Sequence, residues 1–171
     1  MSGLLEIRPA HLGDAAGITA IYGHYVAHTV LTVDLKAPSV EDWQVRLASL
    51  AESGHHVLVA VEAGRVLGYA LVTPWIAKPA FRHTAENSIY LAPGATGASR
   101  GRRLLERLLE DARSAGIRQL LALIAASDTD GRPSLALHRA AGFEPIGRLR
   151  RVGWKHGRWV DVDVLQRDLT T

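Results

Sequence analysis

His83-Thr84-Ala85-Glu86-Asn87-Ser88-Ile89-Tyr90-Leu91, the small-residue loop from Ala92 to Gly101 and the leucine-rich run from Arg102 to Ala115 decide the fold of this 171-residue chain. The first segment reads as a strand. The last puts Leu104, Leu105, Leu108, Leu109 and Ala112 on one helical face and Arg103, Arg107, Glu110 and Asp111 on the other, and Gly116 stops it. A strand that empties through small residues into a helix N-terminus builds an anion site, because the unpaired first-turn N–H groups and the positive dipole end face the same point. Arg100, Arg102 and Arg103 add charge there, and Glu86 lies upstream on the strand. The stretch therefore expects a phosphate-bearing ligand at the loop and a carboxylate base beside it.

Working outward, Leu5 to Arg8 reads as a short strand, and Ala10 to Ala27 as a helix from the spacing of Ile18, Ile21, Tyr22, Tyr25 and Val26. Asp14 is an internal cap candidate of that helix, and Thr29 to Leu35, rich in β-branched residues, is expected to be extended. Ser39-Val40-Glu41-Asp42 is a capping-box pattern opening a helix through Leu50, with Gly54 behind it. His56–Glu62 and Arg65–Pro74 form a hairpin around Ala63-Gly64. Gln119–Ala125 is a buried strand, Pro133-Ser134 starts a short helix ending at Gly142, and Phe143–Val152 and Trp159–Gln166 are the last two strands. The order is β-α-α-β-β-β-α-β-α-β-β, an α/β (α+β) fold with a mixed sheet, helices on both faces and a parallel strand–helix–strand unit from Ile89 to Ala125.

The totals bound the alternatives. One domain over residues 1–171 is expected from length, and a chain of this size buries roughly 70% of its unfolded surface without a staple. The absence of cysteine removes disulfides, thiolate metal sites and a cysteine nucleophile, and no metal is expected. With 47% hydrophobic and 22% charged residues the chain has the composition of a folded globule. There is no signal-peptide pattern and no apolar run of membrane-span length, so a cytoplasmic protein without a membrane partner is expected. The net charge of +3 gathers late, at Arg148, Arg150, Arg151, Lys155, His156 and Arg158. The plain reading is a solvated hairpin and the alternative is attraction for an anion; no nucleic-acid motif accompanies the cluster. Lys155 is expected in solvent, and Trp154 and Trp159 in the core or an interface.

This order, with Ile21-Tyr22, Gly68-Tyr69-Ala70, Arg82-His83-Thr84-Ala85-Glu86, Leu137-His138-Arg139-Ala140-Ala141-Gly142-Phe143 and Gly153-Trp154-Lys155-His156-Gly157-Arg158-Trp159, resembles the GNAT superfamily of acetyl-CoA-dependent N-acetyltransferases. Within it the chain is similar to the phosphinothricin and methionine sulfoximine acetyltransferase branch, over nearly its whole length. The resemblance implies a GNAT-like acyl-CoA N-acyltransferase fold and acetyl-CoA as co-substrate. Its acceptor would be the amine of a small amino-acid-like molecule: phosphinothricin, methionine sulfoximine or methionine sulfone. It also implies a homodimer.

Carried onto this chain, the pyrophosphate loop Gln/Arg-x-x-Gly-x-Gly/Ala falls on Thr96-Gly97-Ala98-Ser99-Arg100-Gly101, with Thr at the first position and Ser99 at the middle glycine. The cofactor-binding set implied is Tyr90, Leu91, Thr96 to Gly101, Arg102 and Ser134. The longer Ser127-Asp128-Thr129-Asp130-Gly131-Arg132-Pro133-Ser134 segment replaces the family's Asn-x-x-Ser turn before the last helix. Glu86 is the implied general base, since an ammonium of pKa about 8 to 10 must lose a proton before it attacks a thioester. His138 is a second catalytic candidate, with a packing histidine as the alternative. The N–H of Leu91 or Tyr90 would donate to the developing oxyanion. Arg82 and Thr84 would hold a substrate carboxylate, walled by Trp75 and Phe81. Two other readings stay open: a GNAT-fold protein that binds cofactor weakly or not at all, and an enzyme for a peptide, polyamine or aminoglycoside.

Overall fold

The structure, a computed structural model, describes residues 4–55, 57–97, 99–126 and 131–170. Ala98 and the Ser127–Asp130 segment, both singled out in the sequence, lie outside the described residues. The chain runs β1 (Glu6–Pro9), α1 (Ala15–His28), α2 (Val40–Glu52), β2 (Val57–Glu62), β3 (Arg65–Pro74), β4 (Thr84–Leu91), α3 (Arg100–Ser114), β5 (Gln119–Ala126), α4 (Arg132–Ala140), β6 (Glu144–Lys155) and β7 (Arg158–Asp168). This is the order the sequence predicts.

The seven strands form one sheet in the order β1-β2-β3-β4-β5-β7-β6. Among the described residues only β4 and β5 pair parallel, bridged by α3 as the strand–helix–strand reading requires. Alternation along β2 and β3 divides the core between two faces. Val57, Val59, Val61, Tyr69 and Leu71 pack under Ile18 and Ile21 of α1 and Trp43 and Leu47 of α2. Leu58, Ala60, Ala70 and Val72 pack under Leu104, Leu105 and Leu108 of α3. Each fully buried leucine contributes roughly 1.5–3 kcal/mol, so α3 is held to the sheet by its apolar face. The two hairpin turns, Ala63-Gly64 and His156-Gly157, have both residues at left-handed φ, the twist-compatible two-residue form.

Three local differences have physical causes. Residues 12–14 form a 3-10 turn and α1 starts at Ala15, because Asp14 is drawn to Arg8 (2.8 and 3.0 Å) and to the His11 N–H (2.9 Å). Residues 29–35 are bent instead of extended. The Thr29 hydroxyl donates to the Tyr25 carbonyl and accepts from the Leu31 N–H, side-chain bonds that compete with strand pairing. Lys155, expected in solvent, is 4% exposed and donates Nζ to the Thr32 carbonyl at 2.8 Å. The bent segment folds over it, and burial pushes its pKa down. Trp154 and Trp159 pack on each other at 5.1 Å but stay more than half exposed, so they are not core. No helix among the described residues is long and apolar enough to cross a membrane.

Candidate active site

The site begins where a ladder ends. β4 and β5 are in register only from Thr84–Asn87 against Gln119–Ala122. Beyond that rung, among the described residues, Ser88–Leu91 keep β3 as their sole strand partner, and Leu123–Ala126 keep β7. The strands part, leaving main-chain edges without strand partners, which an amide-bearing chain can pair with. A cavity of about 790 Å³ occupies the gap. Ser88 to Leu91 line one wall and Ala122 to Ala125 the other. His24, Tyr25 and His28 of α1 and Ser134, Leu137 and His138 of α4 close it.

At the far end lie Thr96, Gly97, Ser99, Gly101 and Arg102. Ser99 caps α3 in the left-handed region (φ 59°), a conformation glycine adopts without the cost a Cβ imposes. The first turn of α3 carries no acidic residue, and its first intrahelical bond is Arg103 N–H to Ser99 O. Arginines at the positive end of a helix dipole raise the local potential and suit an anion. Arg100 is expected among them but turns to Glu62, its Nη2 donating at 2.7 Å, which ties the helix start to β2. Arg102 supplies the cavity's charge from α3. Among the described lining residues there is no carboxylate.

His138 sits at the paired end of the gap, 2% exposed and edge-on to Phe143. The Asn87 Nδ2 donates to the Leu121 carbonyl at 2.8 Å, so Asn87 Oδ1 accepts from His138 Nε2 at 2.9 Å. That assigns a proton to Nε2. The second nitrogen, Nδ1, faces the Ser134 carbonyl at 2.8 Å and the Ser134 hydroxyl at 3.4 Å. Burial pushes the imidazole pKa below its ordinary value, opposed by the Ser134 carbonyl.

Glu86 is one residue before Asn87 and so faces the α1–α2 side of the sheet with Thr84, Ser88 and Tyr90. Burial pushes its carboxyl pKa up, offset in part by Arg46 of α2. Tyr22, Trp43, Tyr69 and Tyr90 form an aromatic cluster on this side, with ring centroids 5.3–6.0 Å apart. The Tyr22 hydroxyl bridges Thr32 (2.5 Å) and Asp34 (2.6 Å). The Tyr90 phenol is pushed up to about 12, first by burial. Trp75, Phe81, Arg82 and Thr84 lie at the start of β4 or on the β3–β4 connection and do not line the large cavity. Arg82 donates Nη1 to the Pro79 carbonyl on that exposed turn.

The gap thus joins two chemistries: a phosphate-suited slot with no carboxylate among its described lining residues on one side, and a half-buried carboxylate among phenols on the other. Residues 7–164 match the family model of the acetyltransferase (GNAT) domain. The chain belongs to the GNAT acetyltransferase family. This GNAT domain is 37% identical to a phosphinothricin N-acetyltransferase of Alcaligenes faecalis, over 95% of the chain and 82% of the relative. It is 34% identical to an L-methionine sulfoximine/L-methionine sulfone acetyltransferase of Salmonella typhimurium, over 96% and 95%. The crystal structure of a phosphinothricin acetyltransferase from Sinorhizobium meliloti, in complex with acetyl-CoA, superposes with a TM-score of 0.89. It is 36% identical and covers 96% of this chain and 88% of that one.

The GNAT domain brings Tyr90, Leu91, Thr96, Gly97, Ser99, Gly101, Arg102, Ser134 and His138 to one cavity. The sequence reading missed Asn87, His24 and His28. Asn87 carried a signal, being a polar residue in the register of β4 that Ala85, Ile89 and Leu91 bury. The α1 histidines carried none.

Proposed function

We propose that this protein transfers acetyl from acetyl-CoA to the amine of a small amino-acid-like acceptor of the phosphinothricin, methionine sulfoximine or methionine sulfone type. The observation that carries the reading is the parting of β4 and β5 beyond Asn87 and Ala122, with the basic start of α3 at its far end. The relatives' acceptors support the acceptor class.

The residues fit the cofactor. Thr96, Gly97, Ser99, Gly101 and Arg102 would hold the phosphates, and the free edge of β4 would pair with the arm. Acetyl-CoA, when bound, supplies a thioester that an amine attacks without a protein nucleophile. Glu86 takes the ammonium proton, directly or through water, and burial, which raises its pKa, makes it a stronger base than an exposed glutamate. The N–H of Leu91, or that of its neighbour Tyr90, stabilises oxygen charge as it develops. His138, held neutral with Nε2 on Asn87, keeps α4 and Ser134 against the gap. Trp75, Phe81, Arg82 and Thr84 border the acceptor's entry to Glu86. A homodimer is part of the reading: Ile146, Leu149, Val152, Trp154 and Trp159 are exposed on the edge hairpin β6–β7, where an uncovered apolar strand invites association.

The left-handed Ser99, without a side-chain cap bond, favours a second reading in which the cofactor binds weakly and turnover is low. The test is thiol release from acetyl-CoA with phosphinothricin, methionine sulfoximine and methionine sulfone against a peptide, a polyamine and an aminoglycoside. Turnover confined to the first group supports the proposal. Turnover confined to the second replaces the acceptor class, and none with any acceptor favours the second reading.

A further inference from the structure

Arg46 lies on the exposed face of α2 with its guanidinium carbon 5.1 Å from the centre of the Trp43 ring. A guanidinium over an aromatic face keeps its N–H donors, and arginine takes a carboxylate through two of them. Arg46 and Trp43 line a groove of about 410 Å³ with Lys36, Asp34 and Asp42, within the size range of small-ligand sites, about 300–1,000 Å³. Both carboxylates are engaged: Asp42 with the Ser39 N–H in the α2 capping box and Asp34 with the Tyr22 hydroxyl. Arg46 and Lys36 make no hydrogen bond or ion pair among the described residues. The groove thus holds two carboxylates and two cations, and its uncommitted hydrogen-bond donors are those of Arg46 and Lys36.

Two buried donors beside it also lack partners. Trp43 Nε1 and Tyr69 Oη are fully enclosed without a hydrogen bond, and the two rings meet at 5.4 Å. An unpaired buried donor costs about 1–3 kcal/mol, which a polar partner reaching it from the groove would relieve. In an α-amino acid the amine and the carboxylate share one carbon, so the cation that binds the carboxylate must lie beside the base that takes the amine's proton. The Arg46 charge acts on both the Glu86 carboxyl and the Tyr69 hydroxyl. Arg82 is instead on the exposed Pro79–Phe81 turn.

We propose that Arg46, backed by Trp43 Nε1 and Tyr69 Oη, binds the α-carboxylate of the acceptor. This rests on the amino-acid acceptor proposed above. The experiment compares KM for methionine sulfone and for its carboxamide in the unmodified protein, Arg46→Gln, Arg46→Lys, Tyr69→Phe and Arg82→Gln, each checked by its melting temperature. Arg46→Gln should raise KM for the acid roughly ten- to a hundredfold, the value of a hydrogen bond to a charged group, and abolish the preference for acid over amide. Arg46→Lys should restore part of it. Tyr69→Phe, which removes an unpaired hydroxyl, should fold as stably as the parent and raise KM for the acid several-fold. A preference kept in Arg46→Gln, or lost in Arg82→Gln instead, overturns the subsite alone. No turnover of either acceptor by the unmodified protein overturns the acceptor reading and the subsite with it.

Discussion

His138 Nε2 and Asn87 Oδ1 lie 2.9 Å apart at the last paired rung of β4 and β5, and Asn87 Nδ2 continues the chain to the Leu121 carbonyl. One side chain thus ties α4 to both walls of the gap. Asn87→Leu would remove the acceptor of the buried His138 N–H and the side-chain donor to the Leu121 carbonyl. The expected cost is about 1–3 kcal/mol in urea unfolding for each group orphaned, in contrast to the near-neutral effect of exposed substitutions. An Asn87→Leu, His138→Leu pair should recover part of that loss, a non-additivity that reports direct contact.

The same histidine sets a pH dependence. Its folded pKa is below the ordinary value, so between that value and about 6.5 the unfolded chain binds a proton that the folded chain refuses. Stability from this group is complete above about pH 6.5 and falls as the pH drops through the window. Chemical unfolding from pH 7.5 to 5 should show that decline, and His138→Gln should flatten it. An identical slope in both proteins would remove His138 as its source.

Glu86→Gln keeps the shape of the site and removes the base. Turnover should fall on the order of 10²–10⁴-fold while acetyl-CoA affinity is retained. Burial raises the Glu86 pKa and the base works ionised, so kcat/KM should rise with pH through a midpoint above the ordinary glutamate value. Arg46→Gln should move that midpoint further up, because the lost charge favours the carboxylate. The pH–rate profile of the three proteins checks both.

The exposed apolar residues of the β6–β7 hairpin predict association through that edge. Light scattering on a sizing column should give twice the chain's mass at micromolar concentration, and Trp159→Asp with Val152→Asp should shift it toward the monomer. A monomer mass for the unmodified chain would count against the homodimer.

Much of this was legible in the sequence because it rests on local rules. Period and punctuation found the strands and helices, and Ser39–Asp42 opens α2 through the capping box that its pattern predicts. The strand reading of His83–Leu91 also put Glu86 on β4, upstream of the loop. What escaped depends on contacts between distant segments. Lys155 looks solvated beside His156-Gly157, and its burial comes from the Thr32 carbonyl 123 positions away. The bend at Thr29–Leu35 arises from hydroxyl-to-backbone bonds that β-branched composition does not announce. Arg46 sits on an exposed helix face, and only its place over the Trp43 ring distinguishes it from any surface arginine.

The central claim is that the gap between β4 and β5 holds acetyl-CoA despite Thr96 and Ser99 in its phosphate loop. Calorimetric titration of the purified protein with acetyl-CoA, with AMP and phosphate as controls, tests it most directly. The account predicts saturable one-to-one binding specific to acetyl-CoA, weakened by Arg102→Glu. Absence of binding at millimolar acetyl-CoA, or equal binding of the controls, would contradict it.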